Sequence, residues 1–496
     1  MSFGPPPSVY TQSALAADGR RKRRHRMLLG VGAAAVVVTL CVGSRLLMPG
    51  VKAPTVAEHP AAAPAPDEIR ETAEKIPATP EGQVVVDHNE GGLPKDSAPN
   101  PRYAPGTWAT DKILAKGVAD RIAGIKIEPG YDETAWTLKL DGHICAASSH
   151  VTVDGRTAVV VQPAKRKGTK DAGICDEVVF FDLNTGRKLW QSQMPSANSA
   201  FVTNTNLTLT KGVVAVAWGH GSVAYDMKDG RQLWNSTGVS RCEDKSFAGG
   251  RALLALEECG EGADATYEIQ KLDPRTGRTR WTYGIAKGVQ SAYLPSSDPP
   301  VVAVAAGDTE VTDLITLDGN GKRLATISMD HYDPKCGGRY FGAAYFGEFE
   351  YCDGMVVGRH QIYVESKEND EINEPETWIV AFDPRTGKSG RKIDGRRMEP
   401  AVPLRMNGDD LLVYRHSDSD VEPSAVVSWN SRTGKETPFL LFTLPEGDAG
   451  KLSDPEQSDI VVEKGRVFFA KRELTADDKH PKDPALAVIG IGNVGH

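Results

Sequence analysis

At 496 residues, 40% hydrophobic and 25% charged, the chain has the composition of a globular protein and exceeds one minimal domain. Its formal net charge of −8 argues against the clustered basic surface that phosphate binding needs, and with it against a nucleic-acid partner. Fifty glycines and thirty-two prolines point away from helical bundles toward an all-β body joined to an extended segment.

Residues 1–26 form a basic tail, with Arg20, Arg21, Lys22, Arg23, Arg24 and Arg26 against one acid, Asp18. Residues 27–44 carry no charge, and Leu46, Leu47 and Met48 follow Arg45. About 20 such residues in an α-helix cross a hydrocarbon core of roughly 30 Å, so a single transmembrane helix in contact with membrane lipid is expected over 27–48. The basic flank predicts a cytoplasmic N-terminus and an extracytoplasmic remainder. A cleaved secretory signal is the alternative, with small residues between Ala61 and Ala65 to cut at, although the apolar run exceeds the usual signal core. Cys41 follows Leu40 rather than the small residue that precedes a lipidated cysteine, and reads as an ordinary membrane residue.

Ten prolines lie between Val51 and Pro105. Such a composition buries too little apolar surface to offset chain entropy, so residues 49–105 are expected to be a disordered spacer. The run Val84-Val85-Val86 could still add to a sheet.

Over residues 106–496 one phrase recurs. Phe181-Asp182-Leu183-Asn184-Thr185-Gly186 leads to Trp190, Tyr225-Asp226-Met227-Lys228-Asp229-Gly230 to Trp234, and Leu272-Asp273-Pro274-Arg275-Thr276-Gly277 to Trp281. Phe382-Asp383-Pro384-Arg385-Thr386-Gly387 and Trp429-Asn430-Ser431-Arg432-Thr433-Gly434 continue it, with a shortened copy at Asp318 to Gly321 and a degenerate one from Ile127 to Trp136. Each reads as a hairpin in which Asp accepts hydrogen bonds from the turn backbone and Gly supplies the φ > 0 position. Apolar strands precede the turns, for example 157–161, 213–218, 252–256, 301–305 and 411–414. Short strands at a repeat of roughly 40–50 residues predict a β-propeller of four-stranded blades. Seven turns give seven blades, and the C-terminal strands near 459–462, 466–470 and 487–491 give an eighth lacking its last strand. Eight blades are favoured; a seven-bladed ring results if 134–140 completes the C-terminal blade.

The phrase resembles the repeat of the pyrroloquinoline-quinone-type (quinoprotein-like) propellers and of the BamB-like assembly-factor family, over nearly the whole ectodomain. The resemblance implies that Trp190, Trp234, Trp281 and, by analogy, Trp136 pack between neighbouring blades. It speaks weakly to activity, because one fold hosts many functions.

Six cysteines lie beyond the apolar segment, and in each of three blades two of them flank adjacent strands. Opposite ends of antiparallel neighbours meet, which predicts the disulfides Cys145–Cys175, Cys242–Cys259 and Cys336–Cys352 within single blades. No CxxC or HxxxH spacing points to zinc. Asn206-Leu207-Thr208 and Asn235-Ser236-Thr237 fit an N-glycosylation pattern that is frequent by chance.

A quinone enzyme of the resembled type would need calcium ligands, a catalytic acid and often a disulfide between adjacent cysteines, and the chain has no Cys-Cys pair. No GxSxG, P-loop or HExxH occurs, so no catalytic residue and no metal ligand is assigned. Two features stand above background. Tyr340, Phe341, Tyr345, Phe346, Phe349 and Tyr351 crowd between Cys336 and Cys352, either as blade core or as a partner surface carried by Tyr340, Tyr345, Phe349 and Tyr351. Glu365, Glu368, Asp370, Glu371, Glu374 and Glu376 form an acidic insert whose spacing is not that of an EF-hand, and read as a solvated loop. The expected protein is thus a membrane-anchored propeller displayed outside the cell, binding an envelope protein or ligand without turnover and without a cofactor. The alternatives are a quinone-dependent oxidoreductase using pyrroloquinoline quinone and calcium, or a ligand sensor.

Overall fold

The computed structural model describes residues 63–493 except 92–101, 129–132, 166–172, 238–241, 261–264, 308–309, 338–348, 368–376, 396–399, 418–421, 445–446, 448–449, 451, 456–457, 475–479 and 481. Among them no helix is long and apolar enough to cross a membrane; the expected span at 27–48 lies outside the described residues. Eight four-stranded antiparallel sheets follow one another along the chain. Blade 1 covers 107–139, blade 2 142–193, blade 3 206–237, blade 4 242–284, blade 5 289–328, blade 6 355–394 and blade 7 401–442. Each of these seven is a simple meander. The first strands face a central axis, and Trp108, Ala146, Leu207, Leu404 and Ile460 on them line its cavity.

Blade 8 takes Ser458–Glu463, Arg466–Lys471 and Ala485–Gly492 from the C-terminus, and its fourth strand is Gln83–Glu90, paired antiparallel to Ala485–Gly492 from Gln83↔Gly492 to Glu90↔Ala485. This corrects the spacer expected over 49–105 and the ectodomain start at 106. Val85 and Val86 are buried against Leu114 and Ile125 of blade 1, and that packing orders a segment whose composition alone reads as disordered. The ring has eight blades, and the missing last strand comes from the other end of the chain.

Packing explains the strand sequences. The second strand of blade 3, Val213–Ala217, is buried at every position because neighbouring blades cover both faces. The fourth strand, Gln232–Thr237, is mostly exposed. Between third and fourth strands the repeated turn forms as expected. The Asp182 carboxylate accepts from the amides of Asn184 at 2.8 Å and Thr185 at 3.1 Å, and its carbonyl accepts from Gly186 at 2.9 Å. Asp226, Asp273, Asp383 and Asn430 repeat the arrangement.

Seams between blades 1 and 5 share one interlock. Each tryptophan on a fourth strand lies on the turn glycine of the next blade: Trp136 on Gly186, Trp190 on Gly230, Trp234 on Gly277 and Trp281 on Gly321. Three of the indoles also donate Nε1–H across the seam, Trp190 to Met227 O at 3.0 Å, Trp234 to Pro274 O at 2.8 Å and Trp281 to Gly319 O at 2.9 Å. The tryptophans therefore pack between neighbouring blades.

Gly230 has φ +70°, and a Cβ there would meet Trp190 at 2.7 Å. Gly408 has φ +63° with nothing in reach of an added Cβ. Gly408→Ala is expected to cost only the backbone term of roughly 1–2 kcal/mol, and Gly230→Ala about 1–3 kcal/mol more from overpacking. Urea unfolding of the two variants checks this; equal losses would show that the indole gives way freely.

Candidate functional site

The axial channel holds a cavity of about 1000 Å³, and the chain itself furnishes much of its lining. Two segments enter it from outside the blades. The first is residues 63–82, which form a strap across one mouth. The hairpin turns between first and second strands lie on this face beside the repeated Asp-Gly turns, as Met227 N to Gly212 O at 3.1 Å and Leu183 N to Gly155 O at 2.8 Å show. The strap pairs with blade 2 through Val153 N to Glu68 O and Arg70 N to Val151 O, both 2.8 Å. Arg70 then donates to Ala109 O of blade 1 at 2.7 Å and meets Glu463 of blade 8 at 3.5 Å. Thr72 Oγ1 donates to Glu463 at 3.0 Å, and Arg405 of blade 7 donates to Thr72 O at 2.9 Å.

The second is the return of the loop closed by Cys336–Cys352. Phe349 O accepts from Leu294 N of blade 5 at 2.8 Å. The Glu350 carboxylate meets His150 Nε2 of blade 2 at 2.7 Å, Thr208 Oγ1 of blade 3 at 2.9 Å and Gly249 N of blade 4 at 2.6 Å. Asp353 takes both outer nitrogens of Arg472 from blade 8, at 2.8 and 2.9 Å. Arg472 also binds Asp459 at 3.0 Å, and buried Lys116 lies 3.8 Å from Asp459 while donating to Ala104 O at 2.6 Å and Thr107 Oγ1 at 3.0 Å.

These pairings set the ionisation. Burial drives the Lys116 ammonium down to about 8 against the pull of Asp459. Burial would raise Asp459, but Lys116 and Arg472 hold it below the usual carboxylate range. For His150, burial lowers the imidazolium's pKa and the Glu350 carboxylate more than reverses that, leaving it raised. Away from the channel, Asp244 and Glu257 stand opposite in blade 4; burial and then Asp244 push Glu257 up to about 7.

All three disulfides join the expected partners, with Cα–Cα separations of 6.0 Å for Cys145–Cys175, 4.0 Å for Cys242–Cys259 and 4.1 Å for Cys336–Cys352. Glu257 and Glu268 converge on Cys242 and Cys259, but that disulfide removes both thiolates as ligands. Asp182, Asp226, Asp273 and Asp383 stay in the turns. Of the aromatic segment, Tyr340 and Tyr345 lie outside the described residues. Phe349 is half-buried, its ring 6.0 Å from that of Tyr293, whereas Tyr351 is exposed and lines the channel. Asn206 is buried and accepts from Phe247 N at 2.8 Å, so it is unavailable to a glycan. Within the acidic insert, Glu365 is buried on Lys335 at 2.7 Å rather than solvated; 368–376 lie outside the described residues. Sequence reasoning missed Glu350, His150, Asp459 and the strap; the strap's one signal is an acid at every third position, Glu68, Glu71 and Glu74.

Residues 96–246, which hold the first two full copies of the turn phrase, match the family model described as outer membrane protein assembly factor BamB. The protein is an eight-bladed β-propeller. No curated protein matches the propeller in sequence. Solved structures similar to it include BamB from Moraxella catarrhalis, at 11% identity over 78% of this chain and 95% of that one with a TM-score of 0.42. A europium-containing methanol dehydrogenase is similar at 10% identity, 83% and 93% coverage and a TM-score of 0.45. The dihydro-heme d1 dehydrogenase NirN is similar at 13% identity, 79% coverage of each chain and a TM-score of 0.43.

Two pH-dependent outcomes follow from the pairs. Glu350→Gln leaves burial as the main influence on His150, so its titration, followed by NMR of labelled imidazole, should fall from above 6.5 to below it; an unchanged midpoint would dissolve the pair. Glu257 binds its proton more tightly folded than unfolded, so its contribution to stability declines as pH rises from about 4.5 to about 7. Glu257→Gln should flatten that part of the stability profile, and a profile identical to wild type would refute the shift.

Proposed function

We infer that the protein is a membrane-anchored, extracytoplasmic propeller acting as a non-catalytic binding or scaffolding module of the cell envelope. The observation that carries this reading is the state of the channel's charges: Glu350, Asp353, Asp459 and Glu463 are each engaged by His150, Arg472, Lys116 or Arg70. Turnover needs an acid or base free to exchange its proton with a bound substrate, and these groups instead hold chain segments together. The assembly-factor description of the family matched over 96–246 supports a role in holding other proteins. The basic tail and the uncharged run at 27–44 within the expected span support the anchor and the outward placement.

The reading without a quinone has its own support. A planar tricarboxylate quinone needs free cations and a flat aromatic slot. Arg70, Arg405 and Arg472 are already paired with Glu463, Glu74 and Asp353, and Trp108 is buried edge-on to Phe181 with its Nε1 donating to Ser148 O at 2.7 Å. Calcium would need about six to eight oxygens from carboxylates that these cations occupy.

The full chain, purified in detergent and supplied with pyrroloquinoline quinone and calcium, is expected to reduce no redox dye with alcohols or sugars. Cofactor-dependent reduction would replace this reading with the oxidoreductase. Protease added to intact cells should remove the propeller and leave a small membrane fragment, whereas a soluble mature chain starting near residue 60 would establish a cleaved signal.

A further inference from the structure

The strap carries an acid at every third residue, and each meets cations or amides from the hairpin turns around the mouth. Glu68 pairs with Lys211 of blade 3. Glu71 pairs with Arg251 of blade 4, one contact being 3.0 Å, and with Arg359 of blade 6 at 3.3 Å. Glu74 pairs with Arg405 of blade 7 and accepts from the amides of Lys464, at 2.9 Å, and Gly465 in blade 8. Extended chain advances about 3.3 Å per residue, so carboxylates three apart stand on the order of 10 Å from one another and reach different blades: 3, then 4 and 6, then 7 and 8. Backbone groups take part as well: Asn407 Nδ2 donates to Glu74 O at 3.0 Å and Gly212 N to Asp67 O at 3.2 Å.

The grip is uneven along the strap. Glu74 is 6% exposed, whereas the side chains of Glu68 and Glu71 are 34% and 48% exposed and those of Lys211 and Arg359 61% and 64%. Exposed pairs contribute little and are screened by salt. Beyond the single bridge between Ile69 and Thr152, residues 70–77 form no ladder with any blade.

We propose that this mouth is a docking site for an extended acidic peptide with Glu or Asp at every third position, and that the strap is its intramolecular occupant, exchangeable for such a segment of a partner protein. The site is built by the basic turns of blades 3, 4 and 6, Arg405 on the first strand of blade 7 and turn amides of blade 8, and reads a chain laid across it by charge spacing together with backbone hydrogen bonds. A tethered strap competes at an effective concentration of the order of millimolar, so a free peptide binds only where the strap is weakened, and a partner needs a second contact elsewhere on the propeller. This rests on the binding-module reading and gives its partner a chemistry.

The test uses the full chain in detergent and a fluorescent synthetic peptide of residues 63–82. The double variant Glu71→Ala/Glu74→Ala is expected to bind the peptide at least tenfold more tightly than wild type. Glu→Gln at the peptide's three glutamates should remove that gain, as should Arg251→Ala/Arg359→Ala in the same background. Equal binding to wild type and variant, or binding indifferent to the glutamates, would overturn the proposal. So would displacement of the peptide by a charge-matched anionic polysaccharide as readily as by the unlabelled peptide. If the double variant fails to fold, Glu71→Gln alone is used, with the same direction expected and the same outcomes decisive. Dye reduction would defeat the non-catalytic reading and leave these binding results standing, while a mouth that takes no peptide leaves the outer loops as a binding platform.

Discussion

A propeller leaves the faces of its first and last blades bare unless the ring is closed, and here the joint is one blade built from both ends of the chain, the pairing of Gln83–Glu90 with Ala485–Gly492. The closing strand comes from ahead of blade 1, and the chain before it crosses the ring on its way to the rim of blade 8. That route is the strap. Leaving the mouth, it is led outward by Pro80 O, which accepts from Leu441 N at 2.7 Å, and by Thr79 against Asn493. At the joint, Glu90 pairs with Arg121 of blade 1, and Arg102–Tyr103 pairs with Glu473–Leu474.

The seams do not share one chemistry. Where blade 5 meets blade 6 no indole lies on the turn glycine: Ala325 faces Gly387, and Thr316 Oγ1 donates to Pro384 O at 2.6 Å. Between blades 6 and 7, Arg391 lies over Gly434. The interlock fades next to the insertion closed by Cys336–Cys352, where Tyr332 stands edge-on to Phe382 at 5.1 Å and Lys335 binds Glu365. The disulfide closes the insertion on itself, and Lys335–Glu365 ties it to blade 6.

The turns were legible because their geometry is local: an Asp carboxylate two and three residues from its amides and a glycine with φ near +70° leave a fixed phrase in the sequence. The disulfides were legible because the repeat aligned their strands. Strand Gln83–Glu90 left only a trace in three valines, since its burial depends on blades 1 and 8. The strap left less, because residues 63–82 have the composition of a disordered chain and gain order from distant partners: backbone pairing with blade 2, and donors such as Lys211 Nζ and Lys464 N, 143 and 390 residues away. Glu350 was hidden among aromatics, and its partners Thr208 and His150 lie 142 and 200 residues distant. Contacts of that range have no periodicity to read.

The channel's interior follows from the cost of placing charges there. Each buried ion loses hydration, and apolar packing of equal volume is often at least as stable, so pairs such as Asp353–Arg472 are poor sources of net stability. What they supply is position. Arg472 can satisfy Asp353 and Asp459 together only when the loop from blade 6 lies beside the first strand of blade 8. Burial lowers Lys116 to about 8, and the ionised Asp459 nearby opposes that loss. Removing one member would strand the others in a medium where an unpaired charge is expensive. The axis is thus a fixed polar assembly contributed by blades 1, 6 and 8, and the exposed ion pairs of the strap leave its outer mouth the more readily exchanged part of the same channel.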